Sequence, residues 1–389
     1  MSEWKEYKLG DVAYVQTGPF GSQLHLSDYK LTGTPIITVE HLVDKRIGHT
    51  NTPFVSDEDR ERLKKYTLIP GDIVFSRVGS VDRSAIVSTK ENGWLFSGRL
   101  LRVRITDIEV DPLYTFYFFN QEEFKENIRR IAVGATMPSI NTAILSSLPI
   151  LLPPLAEQKA IAGVLSALDD KIDLLHRQNK TLEAMAEALF RQWLVEEADE
   201  SWEEGKLGDE FIITMGQSPP GESYNETGKG IPMYQGNADF EFRFPKNRVF
   251  TTDPKRFAEK FDTLISVRAP VGAQNMANEK CCIGRGVASL RFKLNTELYS
   301  YTYYKIRYHM LEIAGFNDTG TVFGSIGKDD LWNIKTLFPS VTEIMEIDSK
   351  LKPLNDRIIS NCFQIRSLEK LRDTLLPKLM SGEVRVGVK

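Results

Sequence analysis

Apolar residues follow two rhythms along this chain, and the pair of rhythms occurs twice. The first is a set of short β-branched and aromatic runs broken by Gly, Pro, Asn and Asp, which predict strands and turns. IITVE, DIVFSRV and LLRVRI are examples in the first half, TLISV and VASLRF in the second. Helical segments follow over Pro112 to Arg130 and Thr296 to Ile313. The second rhythm is a heptad. After Pro153-Pro154 an uninterrupted stretch alternates by four and three through Ile161, Leu165, Leu168, Ile172, Leu175, Asn179, Leu182, Ala186, Leu189 and Trp193. It returns as Ile347, Leu351, Leu354, Ile358, Asn361, Ile365, Leu368, Arg372, Leu375 and Leu379. Such seams predict two long helices with packing faces.

The seams suggest each other as partners. With Asn179 opposite Asn361 in an antiparallel pair, matched residue numbers sum to 540 and every seam position meets another. Ile161 then faces Leu379, Leu165 faces Leu375, Ile172 faces Leu368, Leu175 faces Ile365, and Trp193 faces Ile347. A buried polar pair fixes register at some cost in stability. At about 1.5 Å per residue, the span from Ile161 to Trp193 predicts a rod of roughly 50 Å.

The chain is written twice in other respects too. Trp4-x-x-x-Lys8-Leu9-Gly10-Asp11 recurs as Trp202-x-x-x-Lys206-Leu207-Gly208-Asp209, and Asp72 to Ser76 recurs as Asp262 to Ser266. Gly98-Arg99 is matched with Gly284-Arg285. Ser139, Pro153 and Leu182 reappear at a constant offset of 186 as Ser325, Pro339 and Leu368. The expected fold class is α+β: two similar mixed α/β domains joined by two long antiparallel helices that form a coiled-coil spacer, with a pseudo-two-fold internal repeat. The expected divisions are residues 1–154, a central helix over 155–198, a second domain over 199–339 and a distal helix over 340–389. The loops differ between copies far more than the frameworks, which suggests two sites of one kind that read different things.

Composition narrows the class. With 49 Lys+Arg, 53 Asp+Glu and a formal net charge of −4, any polyanion reader here must gather its positive charge on one face. The opening MSEWKEYKLG lacks an apolar leader, and no apolar run approaches the roughly 20 residues that span a bilayer. Adjacent Cys281 and Cys282 read as packed thiols in a reducing compartment, so a cytoplasmic protein without a membrane partner is expected.

The run Leu152-Pro153-Pro154-Leu155-Ala156-Glu157-Gln158-Lys159-Ala160-Ile161 resembles the entry to the central conserved helix of type I restriction–modification specificity subunits. Leu168-Asp169-Asp170-Lys171-Ile172 and the C-terminal Leu375-Leu376-Pro377-Lys378-Leu379-Met380-Ser381-Gly382-Glu383-Val384 are similar to the same family. The distal copy departs at Pro339 to Ile344, where no Gln follows Glu343. The resemblance implies a non-catalytic subunit whose two target recognition domains bind the halves of a split, asymmetric double-stranded DNA sequence. It implies helices that set the spacer and dock two methyltransferase subunits, which bring S-adenosylmethionine. Two motor-nuclease subunits bring ATP and magnesium; no cofactor is expected in this chain. At about 3.4 Å per base pair, the rod corresponds to roughly 15 base pairs.

DNA contacts are sought in the polar and Gly-rich loops, because bases are read by Arg, Lys, Asn, Gln, Ser and Thr and phosphates are held by cations and hydroxyls. The candidates in the first half are Ser22, Gln23, Arg77, Ser80, Arg83, Arg99 and Thr136. Those in the second are Gln217, Ser218, Tyr224, Asn225, Gln235, Arg268, Arg285 and Thr321. The loop from Arg77 is matched with the one from Arg268. Asp169 and Asp170 are read as solvent- or partner-facing charge and His176 as exposed.

No catalytic residue or metal site is expected. The sequence has no P-loop, no H-E-x-x-H and no Asn/Asp-Pro-Pro-aromatic motif of the kind adenine methyltransferases use to hold a flipped base. The competing reading is a coiled-coil protein–protein scaffold without DNA readout, which the acidic balance and the long seams favour and the diverged loops do not.

Overall fold

The computed structural model describes residues 4–134, 136–317 and 324–387. The chain forms two compact units, one of Met1–Lys171 with Leu368–Lys389 and one of Ile172–Ser367. Among the described residues no helix is long and apolar enough to cross a membrane.

In the first unit a four-stranded antiparallel sheet runs in the order Ala13–Thr17, Leu100–Ile105, Ile73–Ser76, Ser84–Ile86. All four residues of Ile73–Ser76 are buried because this strand is covered on both faces. Strand alternation sends Ile73 and Phe75 to a core shared with the helix Pro112–Phe119 and the two long helices. It sends Val74 to a second core under a smaller sheet. That sheet runs Leu95–Phe96, Thr34–Ile37, Phe54–Val55, Tyr29–Lys30, its first pair parallel. Arg102 points into the second core, where its guanidinium donates to Thr67 O at 2.9 Å and lies over the Phe96 ring.

The second unit repeats this plan. Its main sheet runs Phe211–Met215, Val287–Phe292, Thr263–Ser266, Gln274–Met276, and Ile265 and Leu264 again face different cores. Its smaller sheet again contains a parallel pair, Met233 with Cys282. Arg104 grips Asp72 at 2.6 Å in the first unit, and Arg291 grips Asp262 at 2.7 Å in the second. Both pairs are bidentate, and each fastens one central strand to the turn that begins its neighbour. Cys281 and Cys282 are buried thiols, and burial pushes the Cys281 thiol up.

The long helices span Leu155–Arg191 and Val341–Met380. Each contributes to both units. In the second unit Asn361 donates to Asn179 at 2.9 Å, at the register read from the seams. In the first unit Ile161 and Leu165 share a core with Leu376 and Leu379. The helices therefore run antiparallel. The apolar seam positions are buried or half-buried throughout. Arg372, a cation at a seam position, is explained by Asp169, which accepts from it at 2.7 Å and from the Tyr117 hydroxyl at 2.8 Å. This corrects the reading of Asp169 as a solvent- or partner-facing charge. Asp170 and His176 are exposed, and Asp170 meets Arg46 at 3.2 Å.

Gln158 explains the divergence at the helix entries. It is fully buried, donates to Glu109 O and Pro153 O, and accepts from Asp111 N, so it clamps the turn before the helix. In the second copy Ile344 fills a hydrophobic core instead. That helix starts with a reciprocal cap, Ser340 N donating to Glu343 and Glu343 N donating to Ser340 Oγ.

Candidate nucleic-acid interface

The registers of the main sheet bring the sequence candidates to one end of it. In the first unit Thr17 lies opposite Leu101, Ser76 opposite Leu100, and Phe75 opposite Ser84. The loop after Thr17, the loop 77–83 and the segment ending at Arg99 therefore leave the sheet at the same end. The 133–139 segment joins them through pairing of Val78 with Ser139 and a bond from Gly79 N to Pro138 O at 2.8 Å. The second unit does the same: Met215 is opposite Ala288, Ser266 opposite Val287 and Ile265 opposite Gln274, while Arg268 pairs with Ser325.

Within the first unit Ser22, Ser80, Arg99 and Thr136 are exposed at this end. Arg77 is half-buried; Nη1 donates to Gly98 O at 3.2 Å, and the guanidinium lies 5.5 Å from the centroid of the Phe20 ring. Arg83 is exposed and donates to Leu42 O. Gln23 is drawn inward, its side-chain oxygen accepting from the Tyr66 hydroxyl at 2.6 Å and its carbonyl from Arg62.

In the second unit four candidates form one chain of hydrogen bonds. Tyr224 donates to Pro219 O and accepts from Gln235 Nε2 at 2.7 Å. Gln235 Oε1 accepts from Ser218 Oγ at 2.9 Å, and Ser218 Oγ accepts from Arg285 N at 3.3 Å. A Cβ on Gly284 would lie 2.2 Å from Gln235 Oε1, so glycine lets the amide sit against the main chain. Gln217, Arg268 and Arg285 are exposed. Asn225 is spent on its own turn, bonding Thr227 and the Lys229 main chain. Thr321 lies outside the described residues.

Charge separates these arginines from most others. Arg104, Arg129, Arg243, Arg291, Arg372 and Arg385 each meet a carboxylate. Among the described residues no ion pair engages Arg77, Arg83, Arg99, Arg268 or Arg285. Guanidiniums displayed without carboxylates at one sheet end make a site for an anion. Among the described residues no group of His, Cys, Asp and Glu is arranged to hold a metal.

A family model described as "Type I restriction modification DNA specificity domain" matches residues 1–184 and again 199–369. The chain belongs to this family. It is 35% identical over 374 residues to the putative type I restriction enzyme MjaX specificity subunit of Methanocaldococcus jannaschii, covering 91% of this chain and 88% of that one. It is 27% identical over 305 residues to the MjaIX specificity subunit of the same organism, covering 70% and 69%. The crystal structure of the S subunit of a type I restriction–modification system from M. genitalium shares the fold, with a TM-score of 0.66 at 19% identity over 97% of this chain and 96% of that one.

Superposing the two specificity domains by their hydrogen bonds corrects two sequence matches. Ile140 N donates to Arg77 O in the first domain, and Ile326 N donates to Val267 O in the second. Val267, not Arg268, therefore stands where Arg77 stands. Arg77 N donates to Arg99 O and Val267 N to Gly286 O, so Arg285 is the counterpart of Gly98 rather than of Arg99. The two loop-bearing sheet ends share a main-chain frame and differ in where it carries its cations. Phe20, missed as a candidate, is exposed beside Arg77. Its signal was an aromatic residue inside a Gly-Pro loop. Arg243, another omission, is a brace: fully buried, it meets Glu183 and stacks 3.8 Å over the Tyr303 ring.

Proposed function

We propose that this chain is the address-reading subunit of a type I restriction–modification enzyme, each specificity domain reading one half of a split, asymmetric double-stranded DNA target. The chain performs no chemistry itself. Methyltransferase subunits dock on the long helices and bring S-adenosylmethionine, motor-nuclease subunits bring ATP and magnesium, and the helices serve as the spacer.

One observation carries this reading. The same end of the same sheet, in two diverged copies, presents Gly-rich loops and arginines that no carboxylate neutralises. In a chain with a net charge of −4, such local cation display is what a phosphate-lined partner requires. A protein–protein scaffold needs no such repeated display.

The test is a methylome. The chain is expressed with its methyltransferase partner, and methylated adenines are mapped across the host genome. A two-part motif is expected. Exchanging the loops of one domain for those of a relative should change one half of the motif and leave the other intact. A swap that alters both halves, or neither, overturns the proposal.

A further inference from the structure

We infer that Arg77 reads a guanine in the half-site of the first specificity domain, with Phe20 as its fixed platform. The inference rests on the proposed function and goes further by assigning one base to one side chain.

The Arg77 backbone is pinned on both sides, its N–H donating to Arg99 O at 2.8 Å and its carbonyl accepting from Ile140 N at 3.0 Å. The side chain is pinned as well. Nη1 donates to Gly98 O, and the guanidinium lies over the Phe20 ring, 5.5 Å from its centroid. Phe20 is 59% exposed, but its main chain lies close against residues 97–98. A Cβ on Gly98 would come within 2.7 Å of Phe20 Cβ and 2.5 Å of Pro19 O, and one on Gly18 within 2.2 Å of Ser97 O. These glycines allow the loop after Thr17 to lie directly on the main chain at residues 97–98.

Among the described residues Arg77 makes no other side-chain hydrogen bond, so its Nε and Nη2 edge is uncommitted. That edge offers two parallel donors, which match O6 and N7 of guanine in the major groove. A phosphate can also take a two-pronged guanidinium, but the exposed Arg99 beside it, which is not held in one plane, serves a phosphate equally well. Holding a guanidinium in place before binding is worthwhile where geometry discriminates between partners. The second domain has Val267 in place of Arg77 and makes no such contact there, as an asymmetric target requires.

The experiment maps methylated adenines made by the full chain with its methyltransferase partner. Failure of the unaltered chain to yield a two-part motif sinks the proposed function; an intact motif untouched by Arg77 variants sinks only the guanine assignment. Arg77→Ala should make one guanine in one half degenerate, lowering discrimination there by about 5- to 150-fold, with the other half unchanged. Arg77→Lys retains the charge without the rigid two-pronged edge and should weaken the preference for that guanine less than Arg77→Ala does. Phe20→Leu should keep the guanine but weaken its preference by about 2- to 10-fold. Arg77→Ala that remains strict for every guanine overturns the inference. So does Arg77→Ala that lowers methylation evenly at all sites without changing the motif.

Discussion

Asn361 Nδ2 donates to Asn179 Oδ1 across 2.9 Å, with both residues 1% exposed. Asn179 in turn donates to Cys362 Sγ at 3.5 Å. Replacing one asparagine strands a buried amide, so Asn179→Leu is expected to cost about 1–3 kcal/mol. Changing both to leucine should recover most of that loss and leave the register less strictly defined. Urea unfolding of the two single variants and the double variant measures this. A single replacement without cost would show that the pair does not fix the register.

Gln235 holds together the loops at the candidate end of the second main sheet. Gln235→Leu removes both the acceptor for Ser218 and the donor to Tyr224, and Ser218 is what receives the Arg285 main chain. About 1–2 kcal/mol of DNA affinity should be lost. The methylation motif should relax in one half only. A motif relaxed in both halves would mean that the network is a general stabiliser.

His309 makes the second unit sensitive to acid. Its ring is buried and meets Thr336 Oγ1 at 3.1 Å. Burial, with Lys305 adding to it, pushes the imidazolium down to about 4. Glu312 stands 3.5 Å away but is exposed, so its pull is screened. Because the folded value is depressed below the ordinary 6.5, the unfolded chain binds the extra proton first. Stability is therefore lost as pH falls from about 6.5 toward 4, by up to about 3 kcal/mol. His309→Gln should flatten that slope in denaturation curves taken between those values; an unchanged slope would point to other groups.

The repeated Lys-Leu-Gly-Asp motif is not equally strict in its two copies. A Cβ on Gly208 would lie 1.9 Å from a Trp332 ring atom, whereas one on Gly10 would lie 3.0 Å from Ser146 Cβ. Gly208→Ala should cost about 1–3 kcal/mol through overpacking, and Gly10→Ala under about 1. Thermal melting of the two variants decides it, and equal losses would contradict the packing argument.

The long helices were legible because a seam leaves a regular mark over many turns. Asn179 and Asn361 even gave the register, since two polar residues in apolar seams have little reason to be there except each other. Arg372 carries the same message, but Asp169 and Asp170 look alike along the chain, and only the facing helix, which brings Arg372 to Asp169, tells them apart. The loop-bearing sheet ends were harder. The match of Asp72–Ser76 with Asp262–Ser266 puts Val267 opposite Arg77, whereas aligning the loops on their arginines shifts them by one residue. Two-residue strands such as Tyr224–Asn225 and Phe257–Ala258 are too short for any period to show. Gln23 and Asn225 had suitable chemistry for DNA contact, but Tyr66 and the main chain near Lys229 occupy it.

The first unit combines residues 1–171 with 368–389, while residues 172–367 form the second. During synthesis, then, the half that leaves the ribosome first is the half completed last. Its core must wait for Leu376, Leu379 and Met380 while about 200 intervening residues are added, some tens of seconds at ordinary elongation rates. In that interval the part of the core that Leu376, Leu379 and Met380 fill stays open beside Ile161 and Leu165, and a truncated message would leave it exposed to chaperones and proteases.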